Sequence, residues 1–101
     1  MAKKKTKPVD PDVAHGELMR KLVDEHADNQ GEELLVADGF DAAILGITES
    51  GELVVVYDWD KCVELLRKDM SEEDALDHMS FNVTGAYVGS KTPIFIRFLN
   101  P

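Results

Sequence analysis

Asp58 and Asp60, with one residue between them, have the type and spacing of a carboxylate pair that holds a metal ion or a sugar nucleotide. A strand end running into a helix accounts for both residues equally well. A carboxylate at the N-cap accepts from the free N–H groups of the first turn, so no metal and no cofactor are expected. The segment GAYVGSKT (85–92) suggests a phosphate-binding loop but departs from one. That loop needs four residues between its glycines and a lysine directly after the second. Here three residues separate Gly85 from Gly89, and Ser90 precedes Lys91. The predicted direction is also wrong, because a chain passing from helix to strand presents carbonyls where a phosphate needs N–H groups. Asn82-Val83-Thr84 is a formal glycosylation sequon with no secretory signal ahead of it, and is read as chance.

His15, His26 and His78 lack two-ligand helical spacing, and acidic neighbours suit them better than zinc. Cys62 falls on the apolar face of a predicted helix and reads as a small core residue. No acid, base and nucleophile set emerges, so catalysis is not expected. Asn82 is the polar residue of most interest. On a continued helix it lies beside Met79 and Val83, where a half-buried amide needs partners. Tyr87 and Thr92 are candidates to join it in one pocket.

These residues need elements to position them. Asp10 as N-cap and Pro11 at the first helical position open a helix over 11–28. Leu18, Met19, Leu22 and Val23 form its apolar stripe, Gly16 is its weak point, and 29–31 ends it. EELLVADGF is ambiguous between a helical turn and an irregular crossing. Two β-rich runs, 42–48 and 52–58, flank Glu49-Ser50-Gly51 and predict a hairpin with a bulged three-residue loop. A helix follows with Trp59, Cys62, Val63 and Leu66 on one face and a Glu64–Lys68 pair at i, i+4. Ser71-Glu72-Glu73-Asp74 resembles a capping box. From it a stripe of Leu76, Met79, Val83 and Ala86 continues to a glycine stop at Gly85 or Gly89. TPIFIRFL alternates as a strand, with Ile94, Ile96 and Phe98 on one face, Phe95, Arg97 and Leu99 on the other, and Pro93 at its start. The order α–β–β–α–α–β predicts an α+β domain over 10–101: a small three-stranded, mainly antiparallel sheet, made of a hairpin and a C-terminal strand, with about three helices packed on it.

The totals constrain function. One domain is expected from 101 residues. A single cysteine excludes an internal disulfide and fits a reducing compartment. The first seven residues carry four lysines, and 1–9 are read as a disordered tail rather than a signal peptide. Residues 8–101 hold 20 acids against seven Lys plus Arg, a net of -13. That charge opposes direct binding to nucleic acid or to an anionic membrane. The longest apolar run is far below the ~20 residues of a membrane span.

The pattern VVVYDWDKCVELL…MSEEDALDHMSFNVTGAYVGSKTPIFI resembles a family of small tailed-bacteriophage and bacterial proteins carrying an NxxGAYVGxxTPxF motif. The similarity covers about 40–97 and rests on Tyr57, Asp58, Lys61, Met70, Ser71, Asn82, Gly85, Ala86, Tyr87, Val88, Gly89, Thr92, Pro93 and Phe95. The chain departs from the pattern at Asp74 and at Ser90-Lys91. The resemblance implies phage origin and action in the host cytoplasm, and implies no particular activity. The expectation is a binding protein with a host or phage protein as partner, acting as a host-directed regulator. Asp58, Asn82, Gly85, Tyr87, Gly89, Thr92 and Pro93 are the candidate motif residues, and 94–99 a candidate edge for pairing with a second copy. Alternatives are a mimic of DNA, whose acids imitate phosphates, and a small-ligand binder or enzyme around Asp58, Asp60, Asn82 and Tyr87.

Overall fold

The computed structural model describes residues 10–83 and 85–101. The lysine-rich segment and Thr84 of the sequon lie outside these. Helix α1 spans Pro11–Gln30, with Asp10 accepting from the Asp12 N–H at 2.9 Å, and ends on Gly31 in the left-handed conformation. Four features read from local chemistry are present here: the N-cap, the N1 proline, the helix body and the glycine stop. The buried face, however, differs from the expected stripe. Val23 is buried and Met19 packs on the core, while Leu18 and Leu22 are exposed. Gly16 explains the rotation. It is buried, and a Cβ placed on it would stand 3.0 Å from the Ala42 nitrogen. The helix is drawn against the 3-10 turn Asp41–Ala43 along the line of Gly16 and Val23, which leaves Leu18 and Leu22 on its flank.

Strands β1 (Ile44–Ile47) and β2 (Val55–Asp58) pair antiparallel. The irregularity lies between Ile44 and Gly46, not at the hairpin loop. The loop is also longer than three residues. The Thr48 N–H donates to the Val54 carbonyl, and its Oγ1 accepts from the Val54 N–H and donates to the Glu52 carbonyl. This side-chain clamp closes a wider turn than glycine chemistry alone suggests. Strand β3 (Ile94–Ile96) adds to β2 in parallel, so the sheet is mixed with order β1-β2-β3. A parallel neighbour requires a crossover, and α2 (Trp59–Leu66) and α3 (Glu72–His78) supply it. Asp58 caps α2 and Ser71 caps α3, accepting from the N–H groups of Lys61 and Asp74 at 3.2 and 3.1 Å. Among the described residues three strands and three α-helices form the expected α+β domain, but the sheet is mixed rather than mainly antiparallel, because the two-helix crossover returns β3 parallel to β2.

The core joins Val23, Phe40, Ile44, Val55, Tyr57, Cys62, Ala75 and Met79. Tyr57 is fully buried, stacks on Phe95 with ring centroids 5.2 Å apart, and accepts from the Ala37 N–H at 2.7 Å. That bond fixes the otherwise irregular EELLVADGF segment to the sheet. Burial pushes the Tyr57 phenol and the Cys62 thiol each up to about 12, which marks both as packing residues at neutral pH.

Lys68 does not pair with Glu64 as its spacing predicts. Its Nζ reaches Asp10 and Asp12 at 3.2 and 2.7 Å, while Lys61 takes both Glu64 and Asp12. Two carboxylates at the start of α1 outcompete one exposed glutamate a turn away. Hydrogen bonds from Lys61 and then Lys68 hold the Asp12 carboxyl down at about 2. No helix among the described residues is long and apolar enough to cross a membrane.

Candidate functional site

After α3 the chain does not continue as α-helix to Ala86. It passes through a π-helical turn, Met79–Val83. One extra residue per turn rotates the following side chains. Met79 stays buried, Val83 packs on the core, and Phe81 and Asn82 are exposed, with Phe81 78% accessible. Such wide turns occur often at functional positions. The expectation that Asn82 is half-buried on the apolar stripe is thereby corrected, because the wider turn carries it outward.

Residues 85–93 then form a braced loop. Gly89 takes φ 111°, a conformation side chains rarely adopt, and is a turn residue rather than a helix stop. The Thr92 hydroxyl donates to the Gly89 carbonyl at 2.6 Å and accepts from the Val88 N–H at 2.8 Å. Lys91 anchors the loop, its Nζ 2.8 Å from Glu32 Oε1 and 3.0 Å from the Glu33 carbonyl. Gly85 sits close under the preceding turn, where a Cβ would meet the Phe81 carbonyl oxygen at 3.3 Å. Gly85, Gly89, Lys91 and Thr92 thus build the loop, while Tyr87 and Val88 project from it, 76% and 63% accessible.

The loop, the π turn and β3 enclose a half-open groove of about 560 Å³ against residues 35–40. Its walls are mostly apolar, with Val36, Phe40, Val83, Val88, Pro93 and Phe95 among them, and His78, Asn82, Thr92 and Asp38 adding polar groups. This size and lining fall in the range of binding pockets. Of the candidate motif residues, Asn82, Thr92 and Pro93 line the groove. Asp58 is taken up capping α2, and Gly85, Tyr87 and Gly89 do not line it. The four residues proposed for a small-ligand site do not share a lining either. Asp60 faces a different hollow, with Trp59, Glu64 and Arg67, and Asn82 faces the groove. Among the described residues no group of three or more His, Cys, Asp or Glu side chains is placed to hold a metal.

The groove opens onto an unusual surface. Among the described residues, six of the eleven exposed large hydrophobic residues, Phe81, Tyr87, Val88, Ile94, Phe98 and Leu99, fall within 79–101. The same 23 residues contain no Asp or Glu, only Lys91 and Arg97, whereas residues 8–78 carry all 20 acids against five Lys plus Arg, a net of -15. Loss of charge around exposed aromatic and aliphatic side chains is the compositional mark of an interface centre. The walls Val36 and Phe40 and the charge boundary at 78/79 were missed from the pattern alone. The boundary was readable as an acid-free run, but the groove wall required the Tyr57–Ala37 bond that folds 35–40 against the sheet. No family model, curated protein or solved structure matches this chain.

Proposed function

We propose that this is a phage-type binding protein that acts on another protein in the host cytoplasm, without catalysis, through the face formed by residues 79–101. The observation that carries the reading is the coincidence of three features on one segment: exposed apolar side chains, a groove, and the absence of acids from a chain otherwise dense in them. The groove, with Val88 and Phe95 in its lining, suits a partner that sends an apolar side chain into it. The surrounding acids favour a partner with basic residues flanking an apolar stretch, because opposite potentials steer association and reject wrong partners. The resemblance in 40–97 supports phage origin, and a host-directed regulator is the role it suits.

Immobilised protein exposed to host-cell lysate tests this. The reading expects one saturable protein partner, lost at least about tenfold with Val88→Asp, since centrally placed anchors dominate binding. Leu18→Asp, on the flank of α1, should leave capture unchanged. No saturable partner, or equal capture by the Val88 variant, contradicts it.

A further inference from the structure

The alternating pattern of the last strand runs to Leu99, yet pairing stops at Ile96. The register gives the cause. Ile96 lies opposite Asp58, the residue at which β2 turns into α2, so the strand loses its partner there. β3 also stands at the end of the order β1-β2-β3, and among the described residues no strand pairs with its outer edge. Tyr57 and Phe95 are register partners stacked towards the helices, which places Ile94 and Ile96 on the opposite face. Neither Ile94 nor Ile96 belongs to the core or packs against it.

We infer that two copies of the chain pair antiparallel along β3, about a two-fold axis at Ile96, to make one six-stranded sheet. This rests on reading 79–101 as a binding face, and adds a second copy at the strand edge beside the groove. Charge selects the orientation. Copies approaching by residues 8–78 bring together bodies of net -15 each, whereas 94–99 carries one charge, a positive one. Charge and proline then select the register. An axis at Arg97 sets the two Arg97 side chains directly opposite each other, which is destabilising. An axis at Phe95 draws Pro93, which has no N–H to donate, into the ladder. An axis at Ile96 pairs Ile94 with the partner's Phe98 and Phe95 with the partner's Arg97, and leaves Pro93 at the rim. It also sets Ile94, Ile96 and Phe98 of the two copies side by side as one apolar stripe, so that Ile94 and Phe98, exposed in a single chain, gain cross-strand neighbours.

Sedimentation of the full chain over the micromolar range, followed by cysteine pairing, tests both the state and the register. The expected mass is twice the 11.2 kDa of one chain. Phe98→Lys, at a residue 58% accessible and outside the paired strand, should weaken association at least about tenfold without unfolding the protein. Opposed residues across an antiparallel pair have Cβ atoms about 4.5–5.5 Å apart. Ile96→Cys alone should therefore form a disulfide-linked dimer under oxidation. Phe98→Cys alone should not, whereas a mixture of Ile94→Cys and Phe98→Cys proteins should. Cys62 is buried and does not interfere. A monomer at every concentration, or linkage of Phe98→Cys alone as efficient as that of Ile96→Cys, overturns the proposal. The monomer outcome leaves capture of a different protein, with its Val88→Asp control, as a separate result.

Discussion

The chain has two tyrosines, and they belong to different kinds of surface. Tyr57 is fully enclosed, its ring on Phe95 and its hydroxyl on the Ala37 N–H. Tyr87 stands 76% accessible on a loop whose backbone is nonetheless tightly braced by Thr92, Gly89 and Lys91. The contrast extends to the regions around them. Residues 10–78 place their acids outside and spend Lys61 and Lys68 joining α1 to the following helix. Both regions turn some large apolar side chains outward, but in 10–78 acids stand beside them in sequence, as Glu17 does by Leu18 and Asp77 by Leu76, whereas 79–101 has no acids. An accessible apolar side chain on a rigid, specifically built support costs little entropy to bind, which is how an interface anchor differs from a frayed end.

The largest expected effects separate the tyrosines. Tyr57→Ala should lower unfolding stability by about 3–5 kcal/mol, the cost of emptying an aromatic core site, whereas Tyr87→Ala should change it by less than about 0.5 kcal/mol. Urea denaturation of both variants makes the comparison, and similar losses would remove the distinction. Tyr57→Phe keeps the ring but strands the Ala37 N–H, for about 1–3 kcal/mol. Gly16→Ala comes next. Helix propensity favours alanine by about 1 kcal/mol, but the new Cβ meets the Ala42 nitrogen at 3.0 Å. Overpacking of about 1–3 kcal/mol should leave a net loss near ~1 kcal/mol. Ser71→Ala should remove a cap contribution of about 1 kcal/mol.

Acid sensitivity gives the smallest effect, confined to the acidic region. Hydrogen bonds from Lys61 and Lys68 hold the Asp12 carboxyl at about 2 in the folded chain, below the ordinary aspartate value of 3.8. The stabilisation from its depressed carboxyl is therefore present above about pH 4 and is lost as pH falls towards 2. Asp12→Asn should flatten that part of the stability profile, while substitutions at Val88 or Phe98 should leave its shape unchanged.

The parts of the fold legible in the sequence are those set by local chemistry. Asp10, Asp58 and Ser71 as caps, Gly31 as a stop and the β-rich runs each depend on a few neighbouring residues. What escaped depends on distant ones. Leu18 and Leu22 look like core until Gly16 meets Ala42 and turns α1. Lys68 looks paired to Glu64 until Asp12 is folded against it. The π turn at Met79–Val83 follows from where Met79 and Val83 must pack, not from helix propensity. The candidate site was legible in part for the same reason. Asn82, Thr92 and Pro93 were singled out and share the groove, but its opposite wall is brought there by the Tyr57 hydroxyl, a contact 20 residues long in sequence.

The central claim is that apolar exposure marks a binding face on 79–101 but not on α1. Leu18 and Phe98 are matched for this, at 54% and 58% accessible. Place one photo-crosslinking side chain at either position, express the full chain in bacterial cells, irradiate, and compare the adducts by mass. The account predicts discrete protein adducts from position 98, to a second copy or to another protein, and only background from position 18. Equal adducts from both positions, or adducts from position 18 alone, would contradict it.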